Sequence, residues 1–118
     1  MIWLIGLGGS LGAAVRYLLG LWVNTKMKSE PFPLATWLIN ISGSFLLGLL
    51  VNLRLSNDIS EWFWFLAGVG FCGAYTTFST FGFETLSLLQ SKKKELAGIY
   101  VLSSLIASVL AAAIGFII

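Results

Sequence analysis

The residues able to do chemistry are few, and they sit inside apolar stretches. Asn40 is an amide in such a stretch. In hydrocarbon an amide must find a partner or line a polar path. Asn40, Ser44 and Gly48 recur at i, i+4 and so share one helix face. That face suits a polar path and equally a helix–helix contact of small and polar residues. Tyr100, Ser104 and Ser108 repeat the spacing and put hydroxyls along one face of an otherwise apolar helix. Such a track offers successive hydrogen-bond donors to an ion. The same serines can instead bond their own backbone. Ala107, Ala111 and Gly115 form a separate stripe suited to close packing.

A third stretch reads Gly73-Ala74-Tyr75-Thr76-Thr77-Phe78-Ser79-Thr80. Gly and β-branched Thr weaken a helix, and the hydroxyls of Thr76, Thr77, Ser79 and Thr80 can satisfy freed backbone groups. The spacing predicts a helix broken near the bilayer midplane. The alternative is a continuous helix with hydroxyls bonded to their i−4 carbonyls. Broken helices in membranes expose carbonyls that coordinate small cations. Phe78 and Phe81 flank Ser79 and Thr80. Such rings usually face lipid or the core, but a ring edge is positive and can contact a desolvated anion. Two charges stand out. Arg16 shares a face with Gly8 and Gly12, and either snorkels to the interface or faces a wet vestibule. Glu84 follows the break and pairs with a donor or cation, or acts on the helix dipole.

The elements that position these residues follow from composition. The chain has 118 residues, 58% hydrophobic, with 13 glycines and 10% charged. A soluble domain is ~45–50% apolar and ~25% charged. A water-soluble globular domain, a disordered chain and a nucleic-acid binder are excluded. There is no His, which removes His-based catalysis and His-ligated metals. Cys72 is the single cysteine and reads as a packing residue. A net charge of +2 implies no polyanionic partner. No nucleophile–base pair is evident, so an enzyme is not expected.

A bilayer span needs ~20 apolar residues. The sequence predicts an all-α membrane protein of one domain, residues 1–118, with four spans at about 2–23, 34–53, 62–89 and 96–117. The third is longer than a span requires and is broken near 73–80. Trp3, Trp22, Trp37, Trp62 and Trp64 fall near span ends, as an interfacial belt does. The first span lacks a basic leader and carries Arg16, unlike a cleaved signal peptide. Four helices enclose little volume, so function inside the membrane calls for more than one copy.

Three segments carry a resemblance. They are Gly8-Gly9-Ser10-Leu11-Gly12-Ala13-Ala14-Val15-Arg16-Tyr17, then Asn40-Ile41-Ser42-Gly43-Ser44-Phe45-Leu46-Leu47-Gly48, then Gly70-Phe71-Cys72-Gly73-Ala74-Tyr75-Thr76-Thr77-Phe78-Ser79-Thr80-Phe81. In this order, in a four-span chain of this size, the sequence resembles the Fluc/CrcB fluoride channels over almost its full length. The resemblance implies a passive fluoride-selective channel in the cell membrane that lowers cytoplasmic fluoride. It implies an antiparallel, dual-topology dimer with two pores, whose broken third helices cross at the centre. It implies a structural sodium ion there, not transported, held by backbone carbonyls at Gly73 and Thr76. The pore amide maps to Asn40, the pore phenylalanines to Phe78 and Phe81, and the hydroxyl track to Tyr100, Ser104 and Ser108. Arg16 and Glu84 match charges of the family. Two departures stand out. Gly73 is followed by Ala74 where the family often has a second Gly, and the hydroxyl stripe stops at Ala112.

An antiparallel homodimer needs one sequence to insert both ways, with balanced Lys/Arg. Here Lys26, Lys28, Lys92, Lys93 and Lys94 lie on one side and Arg54 on the other. This bias puts both termini outside and admits a heterodimer with an oppositely oriented homologue. Two other functions compete. A dual-topology, proton-coupled exporter of organic cations needs an acid deep in its chamber, and Glu84 is the one intramembrane acid. A non-transporting membrane subunit would use the polar faces only as packing contacts.

Overall fold

The computed structural model describes residues 2–26, 33–76 and 79–118, which are helical throughout apart from short turns. Helix α1 is Ile2–Lys26 and α2 is Leu34–Leu55. A third stretch is built from α3 (Glu61–Phe63), a π-helix (Trp64–Cys72) and α4 (Gly73–Tyr75). Helices α5 (Ser79–Gln90) and α6 (Lys94–Ile117) follow. Three helices, of 25, 22 and 24 residues, are long and apolar enough to cross a membrane: α1, α2 and α6. At ~1.5 Å per residue each exceeds the ~30 Å hydrocarbon core.

The exterior is apolar. Ile2, Trp3, Leu102, Val109 and Ile117 are each more than 60% exposed. Acyl chains can solvate such a surface, whereas water would drive it to aggregate. This is a multi-pass membrane protein. In that medium helices gain little from hiding Leu from lipid, so close backbone packing has to hold them together.

The helix pairs meet that need with missing side chains. Helix α6 lies chiefly on α2, and α1 on the π-helix. A Cβ on Gly48 would run into the backbone of Ala112, and one on Gly115 into the backbone of Phe45 and Leu49. Gly8 and Gly12 press in the same way on the backbone of Leu66 and Phe71. The π winding of Trp64–Cys72 is not in the sequence expectation. An all-apolar run offers no polar face whose period would separate i+4 from i+5 bonding.

Helix ends also differ from expectation. Helix α1 continues to Lys26, past the expected end at residue 23. Helix α6 starts at Lys94, two residues before the expected start at residue 96, so Lys94 and Glu95 are helical. The reason is a compact reversal after α5. Lys93 N donates to Leu88 O at 2.9 Å and Lys92 N to Leu89 O at 3.1 Å, with Lys92 at φ 62°. This Schellman geometry satisfies the last carbonyls of α5 within a few residues. Helix α2 ends likewise, with Asn57 at φ 59°. Beneath the α5–α6 turn, Leu88, Ala97 and Tyr100 form a buried cluster, with Trp37, Phe81 and Leu96 packed against it.

The tryptophans divide. Trp3, Trp22 and Trp62 are more than half exposed. Trp37 turns inward and donates Nε1–H to Ser103 Oγ at 3.0 Å. Trp64 lies over Gly68, where any side chain would meet its ring.

Candidate functional site

Among the described residues, two clefts with polar lining lie in the bundle. The first has a volume of about 300 Å³ and lies between α2, α6 and the start of α5. Asn40 and Ser44 contribute from α2, Ser104 and Ser108 from α6, Phe81 from α5, and Thr76 from the end of α4. Leu47 and Leu105 complete its wall. The lining is thus one amide, four hydroxyls and three apolar side chains, without a formal charge. The i, i+4 spacing explains the convergence, since each polar set lies on one helix face and α2 and α6 pack together. Ser104 is 5% exposed and its Oγ has no hydrogen-bond partner among the described residues. A buried hydroxyl left in that state costs stability, so it marks a place where the chain keeps an unspent donor. The stripe ends at Ala112 because Gly48 brings the α2 backbone against it.

Tyr100 belongs to the same stripe by spacing but is fully buried and turned toward α5. Its hydroxyl donates to Glu84 Oε1 at 3.3 Å, and its ring centre lies 5.0 Å from that of Phe81. Thr36 hydrogen-bonds to both Glu84 and Tyr100 and is itself buried. Tyr100 thus touches Phe81, which lines the first cleft, and Glu84, which lines a second one.

The second cleft, about 320 Å³, lies between α1, α2 and α5. Arg16, Tyr17 and Asn24 line it from α1, Thr36 from α2, and Thr80 and Glu84 from α5. It holds one cation and one anion, unlike the neutral first cleft. Arg16 and Glu84 thus share one chamber, as neither spacing nor composition indicated.

Between the clefts the chain changes conformation. Thr76 N and Oγ1 both bond Cys72 O, at 3.1 and 2.9 Å, and Thr76 is extended at φ −76°, ψ 153°. Helix α5 begins at Ser79. Thr77 and Phe78 lie outside the described residues, as does the side chain of Ser79. Gly43 makes room here, since a Cβ on it would strike Thr76 and Tyr75. Ser42 and Tyr75 hydroxyls meet at 2.8 Å and tie α2 to α4.

The sodium site implied by resemblance has a chemical test. The described residues contain no group of three or more His, Cys, Asp or Glu able to hold a metal. The alternative donors are carbonyls, which suit a hard cation. Carbonyls in the last turn of a helix lack intrahelical donors. Gly73 lies in that turn, is exposed, and has open space on its side-chain face. Ala74, the departure from the family pattern, leans toward Gly9 of α1 and away from that opening. Carbonyl oxygens at Gly73 and Thr76 are donors of the kind that suits such an ion.

Sequence reasoning passed over Thr36 and the Trp37–Ser103 and Ser42–Tyr75 bonds. Thr36 had a signal, because it stands four residues before Asn40 on the Asn40–Ser44–Gly48 face. The two side-chain bonds had none, since their partners lie 33 and 66 residues apart.

Residues 3–116 match the model of a family described as CrcB-like protein, Camphor Resistance (CrcB). A protein of Clostridium acetobutylicum named fluoride-specific ion channel FluC 2 is 45% identical over 91% of this chain and 87% of its own. One of the same name from Rhodococcus jostii is 42% identical, over 96% and 93%. Another, from Bacillus subtilis, is 45% identical, over 92% and 79%.

Proposed function

The chain belongs to the CrcB-like family, and on that premise we propose that it is a fluoride-selective channel. It is not an enzyme: its relatives are named as ion channels. Fluoride moves passively through it, and a cell with a high internal load loses fluoride down its gradient.

One observation carries this reading at residue level. The first cleft is neutral, apolar-walled, and lined by Asn40, Ser104 and Ser108, with the Ser104 hydroxyl unpartnered among the described residues. Fluoride is small and holds its water tightly, so a selective path must replace that hydration with donors. Amide N–H and hydroxyl groups do so without the trapping that an Arg would cause. Conduction needs binding strong enough to enter and weak enough to leave. The ring edge of Phe81 at the cleft can add a weak positive contact. Phe78 takes the matching role by resemblance. Arg16, at the charged second cleft, gathers anions from water. Glu84, held by Tyr100 and Thr36, positions the aromatic wall of the first cleft. Thr77, Ser79 and Thr80 serve the freed backbone around the interruption.

The finer architecture is part of the same proposal. The third span is a helix broken near the midplane, and two antiparallel copies cross there. Carbonyls of Gly73 and Thr76 from both copies hold a structural sodium ion, which supplies fixed positive charge at the crossing. The partner is a second copy, or a homologue inserted the other way. The Lys26, Lys28 and Lys92–Lys94 bias favours the latter.

Ion efflux from liposomes containing the purified protein tests the reading, with fluoride and chloride electrodes in parallel. Rapid fluoride release without chloride release is expected, and its loss when N-methylglucamine replaces sodium on both sides. If the chain alone is silent, co-reconstitution with an oppositely oriented homologue restores flux. Silence in both settings, or proton-coupled cation uptake instead, overturns the proposal.

A further inference from the structure

We infer that the Lys92–Lys94 turn and the outer face of α6 form a binding site for an anionic phospholipid. The site has two chemically different parts that continue into each other. Its head is a broad groove of about 870 Å³ lined by Lys92, Lys93, Lys94, Glu95, Leu96 and Ile99. All three lysines are exposed. Glu95 is the one acidic group of the lining, so cationic charge dominates. Lys93 stands at the α6 N-cap and makes no side-chain cap bond. The positive end of the α6 dipole therefore faces the same groove and adds to the field of the lysines.

The tail begins at Ile99, where the groove opens onto the bundle exterior. Ile99, Leu102, Ile106 and Val109 follow one another at helical spacing, each 58–66% exposed. They make one continuous apolar ridge. Ten residues along α6 rise ~15 Å, about half the ~30 Å hydrocarbon core. An acyl chain in one leaflet has that reach. A free phosphate or a soluble anion would satisfy the lysines and leave the ridge unexplained. A neutral lipid would satisfy the ridge and leave the three ammonium groups unmatched. An anionic phospholipid uses both, its phosphate at the lysines and one chain along the ridge.

The tight reversal between α5 and α6 holds the lysines at this depth. The Lys93–Leu88 and Lys92–Leu89 backbone bonds leave few residues between the two helices. The ammonium groups therefore stay at the boundary where Leu96 and Ile99 enter the hydrocarbon. Basic clusters at the end of a span attract anionic headgroups.

The test uses the full chain in neutral detergent and counts bound lipid by native mass spectrometry. Phosphatidylglycerol and phosphatidylcholine with identical chains are offered in turn. Phosphatidylglycerol is expected to bind in preference. The K92Q/K93Q/K94Q variant is expected to lose that binding by about tenfold or more, while K92R/K93R/K94R retains it. Equal helical content by circular dichroism shows that the Gln variant is folded. An Ile99→Ser, Ile106→Ser variant is expected to weaken lipid binding with the lysines intact. Equal retention of both lipids, or full retention in the Gln variant, overturns the inference. So does complete competition by soluble glycerol phosphate, which would show a headgroup site without the chain.

Discussion

Tyr100 donates its hydroxyl proton to Glu84 at 3.3 Å across the α5–α6 interface. The same residue packs its ring 5.0 Å from Phe81. One side chain thus couples an acid of the charged cleft to an aromatic wall of the neutral one. Tyr100→Phe keeps the ring and removes the bond. A partly unsatisfied buried group costs about 1–3 kcal/mol, so the thermal midpoint in detergent is expected to fall. Fluoride efflux is expected to slow severalfold, because Glu84 keeps Thr36 but loses the partner that orients it. Unchanged flux with a lowered midpoint would leave Tyr100 a packing residue only.

Ser104→Ala separates stability from conduction. The Ser104 hydroxyl is buried and unpartnered among the described residues. Removing it is expected to leave the thermal midpoint unchanged or slightly raised, since no hydrogen bond is lost. Fluoride efflux is expected to drop, because a donor to the moving ion is gone. Full flux in this variant would count against the cleft as the path.

Gly48→Val and Gly115→Val test the α2–α6 contact. Each new side chain meets backbone, which cannot rotate away. Overpacking costs about 1–3 kcal/mol or more. Both variants are expected to aggregate or elute early in size-exclusion chromatography. Gly20→Ala, at a position with open space around it, is the control and is expected to behave as the parent.

Lys92→Gly tests the α5–α6 turn. Lys92 sits at φ 62°, in the left-handed region that disfavours a Cβ. Relief of that conformation is expected to stabilise the protein by about 1 kcal/mol, read as a higher midpoint in neutral detergent. Lys92→Ala, which keeps the Cβ, is expected to give no such gain.

Much of the fold is legible in a single chain because its main constraint is one-dimensional. A span must be apolar for ~20 residues, and hydropathy along α1, α2 and α6 shows that directly. The candidate residues were legible for a similar reason. Polar groups at i, i+4 inside a span must face protein or a cavity, and Asn40, Ser44, Ser104 and Ser108 do line one cleft. The third span resisted this reading. Its π-wound stretch is where the α1 backbone approaches closely at Gly8 and Gly12, and no local period records that contact.

By itself, then, the sequence determined a helical membrane protein, the faces carrying its polar groups, and the family to which it belongs. These follow from composition, spacing and motif, all properties of the chain before it folds. Only the tertiary structure decided which neighbour covers each face. Tyr100, Ser104 and Ser108 share one stripe, yet Tyr100 is sealed against Glu84 while Ser104 and Ser108 line the neutral cleft. Helical spacing sets the direction of a side chain relative to its own axis. What stands opposite depends on packing between α2, α5 and α6. Glycines distant in sequence control that packing by letting the backbones meet.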